Sequence, residues 1–251
     1  AAMFLLPNAW WSIGLLVPLL VAGHEWSRLA RFRVGWEILF LAALLAGCGL
    51  LWHFCDLGAA RSGGALPAIS RTIYALSALF WCLVAPCWLR LKVVARDPVA
   101  LAVVGVVALL PAWLALVQLQ NNAAMLVALL AVVWIADSAA YFAGRAVGRH
   151  KLAADISPGK TWEGVGGALI AVTVYALALQ FWMFLDGSTF IVIAAFLGMT
   201  CLGIVGDLFE SWLKRNAGVK DSGGIFPGHG GMLDRIDAVI AALPAGALIF
   251  F

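Results

Sequence analysis

Residues 98–119 read PVALAVVGVVALLPAWLALVQL and contain no charged side chain. As an α-helix this run is about 33 Å long, enough to cross a hydrocarbon core of roughly 30 Å. Across the whole chain, 64% of the residues are hydrophobic and 12% are charged. A soluble domain of this length would have too little polar surface to cover itself. We therefore expect lipid to be the solvent for much of the protein.

Comparable apolar runs recur along the chain, each close to the length of about 20 residues that a spanning helix needs. They lie at 9–23, 36–55, 73–89, 98–119, 122–143, 164–185, 189–206 and 236–251. A transmembrane barrel would need strands of alternating polarity, and these runs are apolar on every face. The sequence predicts an all-α polytopic membrane protein with about eight transmembrane helices. A ninth is expected if a segment precedes Ala1, since the apolar stretch Met3–Leu6 ends at a Pro7-Asn8 turn signal.

The distribution of basic residues predicts the orientation of these helices. With the first helix running inward, 14 of the 16 Lys and Arg residues fall in the connections 24–35, 90–97, 144–163 and 207–235. Short cytoplasmic loops of membrane proteins are enriched in Lys and Arg, so these connections should face the cytoplasm of a bacterial-type inner membrane. The net charge of +3 follows from this topology, so we expect membrane lipids rather than nucleic acid as partners.

The polar residues of the C-terminal half concentrate between 207 and 237. This stretch holds five of the thirteen carboxylates and six glycines, which allow a backbone to turn tightly and approach a ligand. Its acids and bases are Asp207, Glu210, Lys214, Arg215, Lys220, Asp221, His229, Asp234, Arg235 and Asp237. Asp207, Ser211 and Lys214 fall on one helical stripe, and Gly218 just beyond it is typical of a helix end. We expect two regions: N-terminal transmembrane helices at 1–130 and a catalytic transmembrane region at 131–251 with cytoplasmic loops 144–163 and 207–235.

Two further features of the sequence point to the same face of the membrane. Asp137 lies inside an apolar helix, where a carboxylate is costly without a partner and therefore indicates a functional site. The loop at 156–164 reads ISPGKTWEG, but Ala154 stands where a phosphate-binding P-loop needs glycine, so that motif is excluded. What remains is a basic turn in which Ser157, Lys160 and Thr161 are suited to contact a phosphate.

The run SWLKRNAGVKDSGGIFPGHGGMLDRID at 211–237 resembles the signature of the phosphatidate cytidylyltransferase family. The blocks DSAAYFAGR from Asp137, SPGKTWEG from Ser157 and GDLFES from Gly206 are also similar to that family, whereas residues 1–130 resemble it mainly in being hydrophobic. The resemblance implies that CTP and phosphatidate react to CDP-diacylglycerol and pyrophosphate. It further implies dependence on Mg²⁺, with a second cation as an option, and a homodimer.

The inventory of side chains suits that reaction, since two polyanions must meet and an in-line displacement at phosphorus must be stabilised. We expect a phosphate-facing surface of Lys160, Lys214, Arg215, Lys220 and Arg235, with Ser157, Thr161, Ser211 and His229 as further substrate contacts. Asp207 and Asp234 are expected to hold Mg²⁺, with Asp221, Asp237 and Asp137 as further candidates. Asp207, Asp234, Lys220 and Asp221 are the expected catalytic residues.

Two alternatives remain open at this point. A CTP-dependent kinase of polyprenol or phytol would also be a polytopic protein that handles a nucleotide at the cytoplasmic face. An ion-coupled transporter could use Asp137 and Asp207 as a relay, although such proteins usually have repeated halves and broken helices near the midplane.

Overall fold

The computed structural model describes residues 2–55, 57, 67–183, 188–228 and 230–250. In these ranges the chain is mostly helical. The helices are α1 (Ala2–Leu5), α2 (Asn8–Gly14), α3 (Leu16–Leu29), α4 (Val34–Phe54), α5 (Ala68–Leu79), α6 (Ala85–Leu91), α7 (Pro98–Leu119), α8 (Ala123–Val147), α9 (Trp162–Met183), α10 (Thr189–Ala217) and α11 (Leu233–Phe250). A π-helical turn at Phe80–Val84 joins α5 to α6, and a 3₁₀ turn at Gln120–Asn122 joins α7 to α8.

Among the described residues, five helical segments are long and apolar enough to cross a membrane. They are Val34–Phe54, Ala68–Leu91, Pro98–Val147, Trp162–Phe181 and Thr189–Ala217. The 50 residues of Pro98–Val147 would extend about 75 Å as one helix, more than twice the hydrocarbon core, and the turn at Gln120–Asn122 divides them into α7 and α8. Helix α11 has 18 residues and carries three charges near its start. The membrane character is clear, whereas the total of eight or nine spans stays a prediction.

The connection at 144–163 departs from the all-α prediction because it contains a small antiparallel hairpin. Strand β1 (Lys151–Ala153) pairs with β2 (Ser157–Thr161), with Lys151 opposite Thr161. Asp155 at the turn accepts a hydrogen bond of 2.5 Å from Lys92, and this bond lowers the pKa of Asp155. The hairpin gives Lys160 a fixed position that a flexible loop would not provide.

Glycines let the C-terminal helices approach one another closely. A Cβ at Gly167 of α9 would collide with the side chain of Ala143 in α8, and one at Gly206 of α10 would collide with the backbone carbonyl of Asp237 in α11. Small residues at such crossings are typical of helix packing in membranes, where van der Waals contact drives association. The close crossing of α10 and α11 sets Asp237 beside the helix that carries Asp207.

The four basic connections lie at the same end of the helices. Hydrogen bonds connect these four segments to one another. Arg31 donates to the carbonyls of Asn216 and Ala217, and Trp212 Nε1 donates to the carbonyl of Val93. Lys92 donates to Asp155, and Arg215 Nε donates to the carbonyl of Ile156. At the opposite end, Asn8 donates to Gln120 over 2.8 Å. The structure therefore has one basic end, as the charge pattern predicts, and which membrane face it occupies stays a prediction.

Candidate active site

A cavity of about 430 Å³ opens at the basic end, between α8, α9, α10 and the hairpin. Its walls are apolar at depth and polar near the hairpin. The sequence-predicted residues that line it are Asp137, Ser157, Lys160, Thr161 and Asp207. Residues up to 70 positions apart in the sequence thus converge on one space at the basic end.

Lys160 and Asp207 form the central ion pair of this cavity. The distance from Lys160 Nζ to Asp207 Oδ2 is 2.5 Å, and the two side chains keep 23% and 31% of their surface exposed. The Ser211 hydroxyl donates to the other oxygen, Asp207 Oδ1, over 3.3 Å, because Ser211 lies one helical turn further along α10. Asp207 is therefore held in place while both partners remain accessible from the cavity.

Two more carboxylates act electrostatically on this pair. Asp137 of α8 interacts with Asp207 and Lys160, and Asp237 of α11 interacts with all three. Asp237 Oδ1 also accepts the backbone N–H of Ala238 over 2.7 Å. Acids from three helices thus lie around Lys160, and Arg145 adds a second cation to the cavity wall, where it donates to the Tyr141 hydroxyl over 2.8 Å.

The hydroxyl of Thr161 has a structural contact as well as a place in the cavity wall. Thr161 Oγ1 accepts the N–H of Gly164 over 3.1 Å in the first turn of α9, and Thr161 is 5% exposed. This is the contact of a helix N-cap. A substrate role for Thr161 would have to coexist with the cap, and it stays a prediction.

A second polar cluster lies next to the cavity, around Lys214. Its ammonium contacts Glu210 Oε2 at 2.5 Å and Asp234 Oδ1 at 2.6 Å, and its side chain is 12% exposed. Glu210 is 3% exposed, and beyond the ion pair with Lys214 its oxygens accept no hydrogen bond among the described residues. Lys214 is thus enclosed by two acids rather than directed to the cavity.

Asp234 is the most fully bonded carboxylate of the site. Besides Lys214 on Oδ1, its Oδ2 accepts the N–H of Gly231 over 2.7 Å and both the N–H and the hydroxyl of Ser222 over 2.9 Å. Burial alone would raise the pKa of Asp234, but the hydrogen bonds from Lys214, Gly231 and Ser222 hold it well below the usual range. Among the described residues, Oδ1 has Lys214 as its one partner, so it is the oxygen of Asp234 that keeps a lone pair for a metal ion.

Glu25 belongs to this second cluster, and sequence reasoning missed it. Glu25 comes from α3 and is 3% exposed, yet its carboxylate accepts hydrogen bonds from the backbone N–H groups of Met232 and Leu233. It also shares the single proton of the Ser222 hydroxyl with Asp234. The sequence carries little signal for this role, because Glu25 falls within the predicted connection 24–35, where an acid among basic residues is interpreted as a solvated charge.

The remaining predicted residues lie around the mouth of the site. Lys220 and Asp221 are exposed in the loop that follows α10, and Arg235 is exposed in the first turn of α11. Arg215 is also exposed and donates from Nε to the carbonyl of Ile156 in the hairpin. His229 lies outside the described residues. The structure thus distributes the predicted site over an open cavity, a closed cluster and an exposed loop, and the individual roles stay predictions.

The donor set of the cavity fits a hard divalent cation. Within the described ranges, no group of three or more His, Cys, Asp or Glu side chains is close enough to hold a metal ion by itself. Mg²⁺, however, keeps several waters and usually takes one or two carboxylates together with substrate phosphates. Asp137 and Asp207 provide two carboxylates in one cavity. Such a site would be completed by a phosphorylated substrate.

The arrangement suits chemistry on phosphates near a membrane surface. A cavity with an apolar floor and a polar rim can accommodate an amphiphile, and the ammonium of Lys160 can contact an anionic oxygen there. The site therefore has the groups needed to bind and orient a phosphate ester at the end of the helices.

Comparison of the sequence with known proteins identifies one family. A sequence model of the Cytidylyltransferase family matches residues 1–251. The phosphatidate cytidylyltransferase of Pseudomonas aeruginosa is 33% identical, and the alignment covers 99% of this chain and 90% of the relative. The phosphatidate cytidylyltransferase of Haemophilus influenzae is 30% identical, and the alignment covers 100% of this chain and 93% of the relative. The enzyme of Brucella melitensis is 50% identical over 118 residues, 47% of this chain.

Proposed function

The chain belongs to the cytidylyltransferase family, and we propose that it transfers the cytidylyl group of CTP to phosphatidate, giving CDP-diacylglycerol and pyrophosphate. The observation that carries this proposal is the cavity at the basic end, where Asp137, Lys160 and Asp207 meet above an apolar floor. Similarity over nearly the full length to two enzymes named phosphatidate cytidylyltransferase supports the choice of substrates.

The reaction needs positioning and charge neutralisation more than acid–base chemistry. A phosphate oxygen of phosphatidate attacks the α-phosphorus of CTP, a new P–O bond forms, and the bond to the bridging oxygen of pyrophosphate breaks with its electron pair leaving on pyrophosphate. The nucleophile is an anion, so no proton has to be removed. Repulsion between two polyanions is the main obstacle, and the protein lowers it by fixing cations around both.

Lys160 is the residue best placed to neutralise the charge of an incoming phosphate. Its ammonium lies in the cavity against Asp207, and both side chains are partly exposed, so an incoming phosphate can compete for the same ammonium. Ser157 and Thr161 flank it on β2, and Ser211 orients Asp207. We assign the exposed cations Arg215, Lys220 and Arg235 to the outer part of the phosphate-facing surface, together with His229. Lys214 belongs to the same proposed surface but lies behind it, because Glu210 and Asp234 enclose its ammonium.

Asp207 and Asp234 would hold Mg²⁺, with Asp221, Asp237 and Asp137 as further candidates, and the ion would neutralise phosphate charge in the transition state. A second cation is part of the same proposal. Asp207 serves this role from the cavity, where Lys160 can leave it for a phosphate. Asp234 serves it from the closed cluster, where Lys214 remains its partner.

We further propose that the basic end faces the cytoplasm and that the protein is an integral membrane homodimer. The contacts among the four basic connections support a single cytoplasmic end, because Arg and Lys are retained on that side. The dimer rests on the family resemblance alone.

The test uses purified protein in lipid nanodiscs with phosphatidate, Mg²⁺ and CTP labelled on either the α- or the γ-phosphorus. We expect the α-label to enter the lipid and the γ-label to leave in pyrophosphate. Entry of the γ-label into phosphatidate, or into a polyprenol offered instead, would replace the proposal with a lipid kinase. Release of neither label from CTP would exclude both enzymes.

A further inference from the structure

The loop at 218–232 is held at both ends by residues from the N-terminal part of the chain. At its start, Arg31 Nη2 donates to the carbonyls of Asn216 and Ala217, the last residues of α10, over 3.3 and 3.1 Å. At its end, Glu25 accepts the N–H groups of Met232 and Leu233, where α11 begins, over 2.9 and 2.8 Å. The two clamping residues are six positions apart in and just after α3.

We refer to Glu25 and Arg31 together as the clamp, and their charges are opposite to the partial charges of the helix ends that they contact. The last carbonyls of a helix carry partial negative charge and the first N–H groups carry partial positive charge, and none of these groups has a partner within its own helix. Arg31 supplies a cation to the former, and Glu25 supplies an anion to the latter. One short segment thereby satisfies both ends of the loop.

Glu25 is built into the loop rather than lying beside it. A Cβ at Gly223 or Gly231 would collide with Glu25 Oε1, so the two glycines allow the backbone to close around the carboxylate. The Ser222 hydroxyl lies 2.9 Å from Glu25 Oε2 and 2.9 Å from Asp234 Oδ2. A continuous path of contacts thus runs from Glu25 through Ser222 to Asp234.

We propose that Glu25 and Arg31 are positioning residues for cytidylyl transfer, which set the conformation of the 218–232 loop and, through Ser222, the orientation of Asp234. This inference rests on the proposed function. It assigns the N-terminal helices a part in the active site, although the conspicuous motifs all lie in the C-terminal half.

The first test is Glu25→Gln, with Glu37→Gln as the matched control. A Gln amide nitrogen cannot accept a hydrogen bond, so at least one of the three donors around Glu25 loses its acceptor. Glu37 lies on α4 and pairs with His24 over 2.6 Å, and it forms no hydrogen bond or ion pair with the described residues of the loop. We expect turnover of Glu25→Gln to fall at least tenfold with a KM for CTP within about threefold of wild type, and Glu37→Gln to retain wild-type turnover.

Hydrogen exchange measures the clamp without any substrate. In Glu25→Gln the peptides covering 218–233 should exchange faster than in wild type, while peptides from α7 and α8 should not change. Arg31→Ala should accelerate exchange at the α10 end of the loop, and the exposed neighbour Arg33→Ala should not. Unchanged hydrogen exchange in both Glu25→Gln and Arg31→Ala would contradict the proposal that these two residues hold the 218–232 loop.

A double-mutant cycle distinguishes positioning from general support of the fold. If Glu25 acts through Ser222, the loss of turnover in Glu25→Gln with Ser222→Ala should be no larger than the greater single loss. If the fold-losses of turnover in Glu25→Gln and Ser222→Ala multiply in the double variant, Glu25 does not act through Ser222. Should Glu25→Gln not fold, Glu25→Asp, which keeps the charge at a shorter reach, takes its place in the cycle. Failure of wild type to make a CDP-lipid would overturn the proposed function, whereas the exchange result would still decide the clamp.

Discussion

Two lysine–aspartate pairs at the basic end differ in what surrounds them. Lys160 and Asp207 are 23% and 31% exposed and open onto a cavity, whereas Lys214 and Asp234 are each 12% exposed and enclosed by Glu210, Ser222 and Gly231. An accessible pair can exchange its partner for a phosphate at little cost. A pair whose oxygens are all bonded resists such exchange, because each lost donor leaves a buried polar group. We therefore expect the open pair to exchange its lysine for a phosphate, and the closed pair to keep its partners and hold Asp234 in a fixed orientation for the proposed metal ion.

The largest effect should follow from Asp207→Asn. Loss of one carboxylate from the cavity removes charge stabilisation of about 3 kcal/mol from the transition state, a fall of about 10²-fold or more in turnover. Thermal stability should change little, because Asp207 keeps access to solvent. The control is Asp97→Asn: Asp97 caps α7 through the N–H of Ala100, and Asn caps a helix equally well. Wild-type turnover in Asp207→Asn would remove the cavity pair from the mechanism.

Asp234→Asn should lower both turnover and stability. Its Oδ2 accepts three hydrogen bonds, and an amide that turns its nitrogen to those donors leaves them unsatisfied, at about 1–3 kcal/mol. Parallel thermal melts of Asp234→Asn and Asp207→Asn in the same detergent measure the difference. Equal melting temperatures in the two variants would contradict the distinction between the closed and the open pair.

Some features of this site could be predicted because they depend on local patterns. The stripe through Asp207 and Lys214 and the glycine beyond it predict a helix that leaves the apolar run, and α10 does end at Ala217 with Gly218 in the left-handed region at φ 75°. Asp137 and Asp207 each lie toward the basic end of an apolar run, which predicts that both belong to the same face of the membrane. In both cases, periodicity and the cost of burying charge are visible in a short window.

Other features depend on contacts between distant parts of the chain. Glu25 and Leu233 are 208 positions apart, and no periodic pattern links α3 to the loop that it clamps. The hairpin was missed because its strands have three and five residues and β2 contains Pro158 and Gly159, which disfavour strands. Tertiary contacts stabilise both features, so their local sequences carry little signal.

The cations of the exposed loop should have a smaller effect than either aspartate. Lys220→Ala removes a charge from the proposed phosphate-facing surface, and we expect about a tenfold rise in KM for CTP. Lys92→Ala breaks only the exposed pair with Asp155, which is worth little, and should change KM less than threefold. Equal losses in the two variants would count against a specific phosphate contact at Lys220.

The smallest effect should be the pH dependence that Asp234 contributes. Its pKa is lowered in the folded state, so its stabilising contribution is complete above the unfolded value of about 4 and is lost as pH falls toward the lower folded value. The melting temperature of the wild type should therefore exceed that of Asp234→Asn by a constant difference from pH 7 to 5. This difference in melting temperature should decrease below about pH 4. A decrease already between pH 7 and 5 would mean that a group other than Asp234 causes the pH dependence.

The most direct test of the open cavity is protection of an engineered cysteine by nucleotide. A side chain added at Gly159 in the cavity, or at the exposed Gly35 in the first turn of α4, would meet no atom within 4 Å, so Gly159→Cys and Gly35→Cys form a matched pair. Both would be labelled with a membrane-impermeant maleimide, with the unsubstituted protein as the baseline. We predict that CTP with Mg²⁺ slows labelling at position 159 at least tenfold and leaves labelling at position 35 within twofold. Equal labelling of Gly159→Cys with and without saturating CTP would contradict the claim that this cavity receives the nucleotide.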